Sequence, residues 1–253
     1  MKKLNKLTAA MLVASSMGLA SQASAIAVDL ELALLIDVSG SVDGTEYQLQ
    51  LDGYGSAFRS TAIQDAIAAG AIGSIAVETI FWSGESSQQV MTSWVEINDA
   101  TSANTFADTI EAIARPFQGW TAPGSALNYA LGTFTNNYEG TRNVIDVSGD
   151  GKQNRGFDTS DARDAALAGG IDTINGITIG NESGLNQWYV DNLIGGTNAF
   201  AMHATDFTTF GTAISNKLVR EITGTNVPEP APVGLLSLGL FALAYSRRKS
   251  NQS

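Results

Sequence analysis

The central part of the chain alternates short apolar runs with amphipathic stretches. Residues 30–36 are almost continuously apolar, which is typical of a strand covered on both faces. Residues 73–82 and 88–97 are rich in β-branched and aromatic side chains and flank a short turn, which predicts an antiparallel hairpin. The same patterns predict further strands at 143–147, 171–179 and 198–203 and helices at 47–58, 105–114, 124–134, 159–168, 186–194 and 207–222.

This alternation predicts an α/β fold: a doubly wound, mostly parallel sheet with one antiparallel edge strand and helices on both faces, as in Rossmann-like proteins. In such a sheet, ligands bind beyond the carboxyl ends of the strands, where the strand order reverses. Polar residues that directly follow strands are therefore the candidates for a functional site.

The start of the chain has the pattern of a secretory signal. Lys2, Lys3 and Lys6 precede the apolar residues 7–20, and the small residues 23–25 then follow at the spacing that a signal peptidase needs. We therefore predict a signal peptide over residues 1–25 and an exported domain over residues 26–226.

The end of the chain joins three features in order: Pro228-Glu229-Pro230, the apolar residues 231–246, and the basic residues 247–249. The apolar run is somewhat shorter than the ~20 residues that span a bilayer, but it is compatible with an anchor helix whose basic end stays in the cytoplasm. The three features also resemble the PEP-CTERM sorting signal of Gram-negative bacteria, which an exosortase recognises and cuts. The resemblance implies a protein of the cell envelope, surface or extracellular matrix, with residues 227–253 acting as a sorting and membrane segment before processing.

The charge and the amino-acid composition of the chain argue against some classes of partner and of metal site. The chain of 253 residues has 14 basic and 25 acidic residues, and six of the basic ones lie in the two end segments. The central domain is thus strongly acidic, which disfavours nucleic acid and anionic lipid as partners. Because the chain has no cysteine, disulfides and thiolate metal sites are excluded.

Oxygen-bearing side chains follow the first predicted strand. Asp37, Ser39 and Ser41 alternate with Val38 and Gly40, so in an extended segment the three polar side chains share one face. Hard cations such as Mg²⁺, Mn²⁺ and Ca²⁺ prefer oxygen ligands. Such a triplet also occurs in ordinary strand-exit turns and helix caps, so it does not by itself establish a metal site.

Two further oxygen groups lie where this topology would add them. Thr121 lies in a loop before a predicted helix, and Asp150 follows the fourth predicted strand between two glycines. In the common strand order 3-2-1-4-5-6, the first and fourth strands are neighbours. Asp37 and Asp150 are therefore predicted to meet.

These residues resemble the metal-ion-dependent adhesion site (MIDAS) of von Willebrand factor A domains, and the similarity extends over roughly residues 29–222. The resemblance implies that Ser39, Ser41 and Thr121 bind the metal directly and that the two aspartates act directly or through water. It also implies that a partner's carboxylate completes the coordination. We expect Mg²⁺, with Mn²⁺ or Ca²⁺ as alternatives.

Two neighbouring residues are assigned supporting roles. Asp146 lies inside the fourth predicted strand, and spacing by two places it on the side of Asp150, so we predict that it orients Asp150 or a nearby hydroxyl. Trp120 borders Thr121 and is predicted to lie at the rim of the ligand site.

Motifs of hydrolases and nucleotide-driven motors are missing from the sequence. It has no Gly-x-Ser-x-Gly elbow, no paired zinc histidines and no phosphate-binding loop, and its one histidine is His203. We therefore predict a non-enzymatic, metal-dependent binding or adhesion domain that holds an acidic group of a protein or exopolysaccharide. The alternatives are a structural envelope or matrix protein whose metal only stabilises the fold, and a metal-dependent hydrolase with Asp37, Asp146 or Asp150 as its base.

Overall fold

The computed structural model describes residues 25–224. The predicted signal peptide, apart from Ala25, and the predicted sorting and membrane segment 227–253 lie outside the described residues. Within the described part of the chain, no helix is long and apolar enough to cross a membrane.

Nine strands and seven helices make up this part of the chain. The strands are β1 (Ile26–Val28), β2 (Leu30–Asp37), β3 (Ile75–Trp82), β4 (Gln88–Ile97), β5 (Tyr138–Gly140), β6 (Asn143–Gly149), β7 (Thr173–Ile179), β8 (Gly195–Gly196) and β9 (Ala201–Ala204). The helices are α1 (Gly44–Arg59), α2 (Thr61–Ala68), α3 (Ala100–Glu111), α4 (Pro123–Leu131), α5 (Thr159–Ala168), α6 (Leu185–Asn192) and α7 (Phe207–Thr223), and a 3-10 turn (Gly132–Phe134) continues α4.

The main sheet has the order β4-β3-β2-β6-β7, and both β8 and β9 pair with β7. The β2 strand pairs in parallel with β3 and β6, and β6 and β9 pair in parallel with β7. The β4 strand is the antiparallel edge. This sheet topology confirms the predicted fold class and the order 3-2-1-4-5-6 of the six predicted strands. The antiparallel two-residue strand β8 and the separate parallel pair of β1 and β5 are additions that the sequence patterns do not predict.

Helices cover both faces of the sheet. Side chains of β2 alternate between two apolar clusters: Leu34 packs with residues of α1, α2, α3 and α7, and Leu35 packs with residues of α4, α5 and α6. All eight residues of β2 are buried, which explains its continuous apolar pattern. The carboxyl end of this central strand therefore opens at the edge of the sheet between the two helical layers.

Some element boundaries differ from the sequence-based expectation. Helix α3 begins at Ala100 rather than near 105, because Asp99 and Ser102 form a reciprocal capping box at its start. It ends at Glu111, several residues before Pro116. Helix α2 is not predicted at all, although Ser60 caps it and Ile63 and Ile67 are buried.

Candidate metal centre

Three loops at the carboxyl ends of the strands bring the predicted site residues to one place. Asp37 is the last residue of β2, and Asp150 directly follows β6, the strand that pairs with β2. Thr121 lies two residues before α4. Parallel pairing of β2 and β6 therefore explains why residues more than a hundred positions apart are neighbours.

A chain of hydrogen bonds connects the two aspartates. The Ser39 backbone N–H donates to Oδ1 of Asp37 at 2.7 Å, and the Ser39 and Ser41 hydroxyl oxygens lie 3.1 Å apart. The Ser41 hydroxyl donates to Oδ1 of Asp150 at 2.6 Å. The structure thus brings Asp37, Ser39, Ser41 and Asp150 together in one cluster.

Thr121 approaches this cluster from the third loop. A Cβ atom added to Gly151 would lie 3.6 Å from the Thr121 hydroxyl oxygen, so this hydroxyl is close to the backbone that follows Asp150. The side chain of Asn154 holds Thr121 in place, because its Oδ1 accepts from the Thr121 N–H at 2.9 Å and its Nδ2 donates to the Thr121 hydroxyl at 3.4 Å.

The electrostatics of the cluster favour a cation. Asp37 is fully buried, and burial, with repulsion from Asp150 as the second cause, raises the pKa of its carboxyl to about 7. Burial also raises the pKa of Asp150, and the charges of Glu46 and Glu182 add to this effect. Two carboxylates held close together in a desolvated site repel each other unless a proton or a metal ion lies between them.

The donor set fits a divalent metal. Oδ2 of Asp37 is buried and has no hydrogen-bond partner among the described residues. The hydroxyls of Ser39 and Ser41 and the carboxylate of Asp150 belong to the same hydrogen-bonded cluster as Asp37, and such oxygens suit hard cations. Within residues 25–224 there is no group of three or more His, Cys, Asp or Glu side chains arranged to hold a metal, so a metal here would depend on the hydroxyl groups.

Residues that sequence reasoning missed hold the β2–α1 loop in position. The Arg115 guanidinium donates to the carbonyls of Val38 at 2.6 Å, Ser39 at 2.5 Å and Val42 at 2.8 Å. From α1, the side chain of Gln50 donates to the carbonyl of Asp37 at 3.1 Å. These contacts are long-range, and no local pattern in the sequence indicates them.

Glycines allow two of the loops to touch. The Gly40 N–H donates to the carbonyl of Gly119 at 2.8 Å, and a Cβ atom on Gly40 would lie 3.2 Å from that oxygen. A side chain at Gly40 would therefore push the β2–α1 loop slightly away from the loop that carries Thr121.

The role predicted for Asp146 needs correction. The Nζ of Lys217 lies 2.5 Å from Oδ1 of Asp146 and 2.5 Å from Oε1 of Glu221, and the Asp146 and Lys217 side chains are fully buried. Asp146 therefore contacts α7, not Asp150 or the site hydroxyls. The physical reason is that Asp146, like Val144, faces the helix that covers this side of β6, whereas Asp150 lies beyond the end of the strand.

Trp120 lies at the surface next to Thr121. Its side chain is 58% exposed, and the Arg155 guanidinium lies 4.8 Å from the centre of its ring. The hydroxyl of Ser83 donates to the Trp120 carbonyl at 3.2 Å, which connects the loop that carries Trp120 and Thr121 to the end of β3. An exposed aromatic side chain thus stands beside the hydroxyl and carboxylate cluster.

Comparisons with known proteins support the sequence resemblance. The model of the family described as Protein of unknown function (DUF1194) matches residues 27–226, and the PEP-CTERM protein-sorting motif matches residues 226–249. No curated protein matches the chain.

Solved structures show the same fold. Proximal thread matrix protein 1 from the mussel byssus, with a zinc-occupied MIDAS motif, superposes with a TM-score of 0.60 at 16% identity, covering 79% of this chain and 49% of that one. The pilus adhesin SpaC from Lactobacillus rhamnosus GG superposes with a TM-score of 0.56 at 12% identity, and the match covers 79% of this chain and 31% of the adhesin. The SpRpn10 VWA domain superposes with a TM-score of 0.53 at 16% identity, and the match covers 79% of this chain and 100% of that domain. This chain thus spans about half or less of the matrix protein and the adhesin, and the likeness shows a von Willebrand factor A fold.

Proposed function

Because this chain belongs to the family described as Protein of unknown function (DUF1194) and has the fold of von Willebrand factor A domains, we propose that it is an exported, non-enzymatic domain that binds its partner through a divalent cation. The observation that carries this proposal is the cluster at the ends of β2 and β6. There, Asp37 has one buried carboxylate oxygen with no hydrogen-bond partner among the described residues, and Asp37 belongs to the same hydrogen-bonded cluster as Ser39, Ser41 and Asp150.

The proposed metal ligands are the residues of this cluster and the hydroxyl that approaches it. They are Asp37, Ser39, Ser41, Thr121 and Asp150, with Mg²⁺ as the expected ion and Mn²⁺ or Ca²⁺ as alternatives. When bound, the metal would supply a positive charge with a coordination position open to an external anion. Neutral hydroxyl ligands cancel less of that charge than carboxylates would, so an acidic group of a partner is favoured.

Other residues of the chain would keep this arrangement rigid. Arg115 fixes the β2–α1 loop through its backbone carbonyls, Gln50 fixes the carbonyl of Asp37 at the end of β2, and Asn154 fixes Thr121. A binding site gains affinity when its groups are already positioned before the ligand arrives. Trp120, exposed at the rim, would contact the part of the partner that surrounds its acidic group.

The proposed partner is an acidic protein or exopolysaccharide at the surface or in the matrix of a Gram-negative bacterium. The match to the sorting motif supports export and processing by an exosortase, with residues 1–25 as a signal peptide, 26–226 as the binding domain and 227–253 as the sorting and membrane segment. The strongly acidic composition supports a metal-bridged partner, because a carboxylate would otherwise be repelled by this surface.

The test is capture of envelope and matrix material from the native host by the immobilised full chain. Capture should require millimolar Mg²⁺, stop with a chelator, and be inhibited by soluble acetate. Asp150→Ala should abolish it, whereas Asp65→Ala, which removes an exposed carboxylate from α2, should not. Equal capture with metal, with chelator and by Asp150→Ala would refute the proposal. A metal that raises the melting temperature but leaves capture unchanged would select the structural alternative.

A further inference from the structure

An open groove of about 560 Å³ lies beside the candidate metal centre. It is lined by the turn between β3 and β4, the loop between β6 and α5, and helix α6. Asn154 connects the two sites, because it lines the groove and its Nδ2 lies 3.4 Å from the Thr121 hydroxyl oxygen. The volume is in the size range of small-molecule sites, so a ligand of the metal has room to extend into the groove.

Two amide side chains in the groove are fixed at one end and free at the other. Oε1 of Gln153 accepts from the N–H and the hydroxyl of Thr159, at 3.0 and 2.8 Å. Nδ2 of Asn192 donates to the carbonyl of Trp188 at 2.9 Å. The Gln153 amide nitrogen and the Asn192 amide oxygen have no hydrogen-bond partner among residues 25–224. The groove therefore offers a positioned donor and a positioned acceptor.

The charged side chains of the groove have both signs. Glu85 and Arg155 are exposed, and neither forms an ion pair in the described part of the chain. Asp158 also lines the groove, and its Oδ1 caps α5. Two carboxylates against one guanidinium do not favour an anion inside the groove. A hydroxyl group both donates and accepts, so a neutral ligand rich in hydroxyls can use the donors and the acceptors alike.

Tryptophan side chains complete this surface. Trp120 is 58% exposed beside the groove, with the Arg155 guanidinium 4.8 Å from its ring centre, and the partly buried Trp188 lines the groove itself. Trp188 is the only large apolar side chain among the lining residues. The apolar core that is typical of protein interfaces is thus missing from the groove, whereas the exposed face of a tryptophan ring packs well on the C–H groups of a sugar.

We propose that this groove binds sugar residues of an acidic polysaccharide whose carboxylate is held at the metal centre. The inference rests on the proposed metal-dependent function and selects a polysaccharide rather than a protein as the partner. A uronate would lie at the metal, and a neighbouring neutral sugar would lie in the groove, because the groove itself carries more negative than positive charge. Trp120, which is adjacent to both Thr121 and Arg155, would pack on a sugar ring.

The test is titration calorimetry on the full chain in Mg²⁺ with two acidic disaccharides, glucuronate joined to glucose and galacturonate joined to rhamnose. Their controls are free glucuronate and free galacturonate, which carry the carboxylate without the neighbouring sugar, and triglutamate, which represents an acidic peptide. At least one disaccharide should bind at least about tenfold more tightly than its free uronate, because only the disaccharide reaches the groove. It should also bind more tightly than triglutamate.

Variants assign the extra affinity to the groove. Trp120→Ala and Glu85→Ala should each weaken disaccharide binding by about tenfold, and neither should change the affinity for Mg²⁺. Both side chains are exposed, so the fold should be retained, as judged by circular dichroism. Tyr129→Ala is the matched control, because this 40% exposed aromatic side chain on α4 does not line the groove. It should leave disaccharide binding unchanged.

Three results would overturn the proposal. They are equal affinity of each disaccharide and its free uronate, binding of triglutamate at least as tight as that of the disaccharides, and unchanged disaccharide affinity in both groove variants. A parallel titration in chelator tests the metal separately. Disaccharide binding that persists in chelator but falls in the groove variants would refute the metal-dependent function and retain the groove. Metal-dependent binding of acids that ignores the groove variants would refute only the groove.

Discussion

Replacing Lys217 with methionine tests the buried charge network beneath α7. The Lys217 side chain is fully buried and lies 2.5 Å from a carboxylate oxygen of Asp146 and of Glu221. Methionine fills a similar volume, so the main change is loss of the only cation that touches these two carboxylates in the described part of the chain.

The expected loss of stability is about 3–5 kcal/mol near pH 8, the cost of removing one partner of a buried ion pair. With a urea m-value of about 2 kcal/mol/M, the unfolding midpoint should fall by roughly 1.5–2.5 M. Lys152→Met is the matched control, because Lys152 pairs with Glu182 at 3.5 Å on the surface and such pairs contribute only about 0–1 kcal/mol.

The pH dependence gives a second measurement on the same variant. Burial raises the pKa of Asp146 and raises that of Glu221 to about 7. A carboxyl whose folded-state pKa exceeds its unfolded value contributes stability that is complete below the unfolded pKa and is lost as the pH rises through the folded pKa. Without Lys217, both carboxyls should remain protonated to higher pH, so the deficit of Lys217→Met should shrink between pH 8 and pH 5. Equal losses in the two lysine variants, or a deficit that grows as the pH falls, would refute this reasoning.

Two further predictions concern the metal and processing. Mg²⁺ at about 100 times its dissociation constant should stabilise the full chain by about 2.7 kcal/mol and raise its melting temperature by about 5–10 °C in scanning calorimetry, because it binds only the folded site. Asp150→Ala should remove this shift, and an equal shift in that variant would place the metal elsewhere. Intact mass of the protein from its native host should show a chain that begins near Ile26 and lacks the residues after Pro230. Retention of residues 247–253 would instead indicate a permanent membrane helix.

Much of the fold could be predicted from the sequence, because its signals are local. The apolar run that ends at Asp37 forms the buried strand β2, and the two runs predicted as a hairpin form β3 and β4. Helix α5 has its predicted bounds. The same holds for the cluster that contains Asp37 and Asp150. Asp37 ends β2 and Asp150 directly follows β6, and the common order of doubly wound sheets is enough to make them neighbours.

The side chains that surround Asp37 and Asp150 could be identified only from the tertiary structure. Arg115 and Asn154 contact the site loops through backbone atoms and single side chains, and such contacts leave no periodic pattern in the sequence. Asp146 is the clearest example of a residue whose partner the sequence does not identify. Spacing by two determines which face of β6 it occupies, but the partner on that face belongs to a helix 71 residues away, and only the packing of α7 against the sheet places Lys217 beside it.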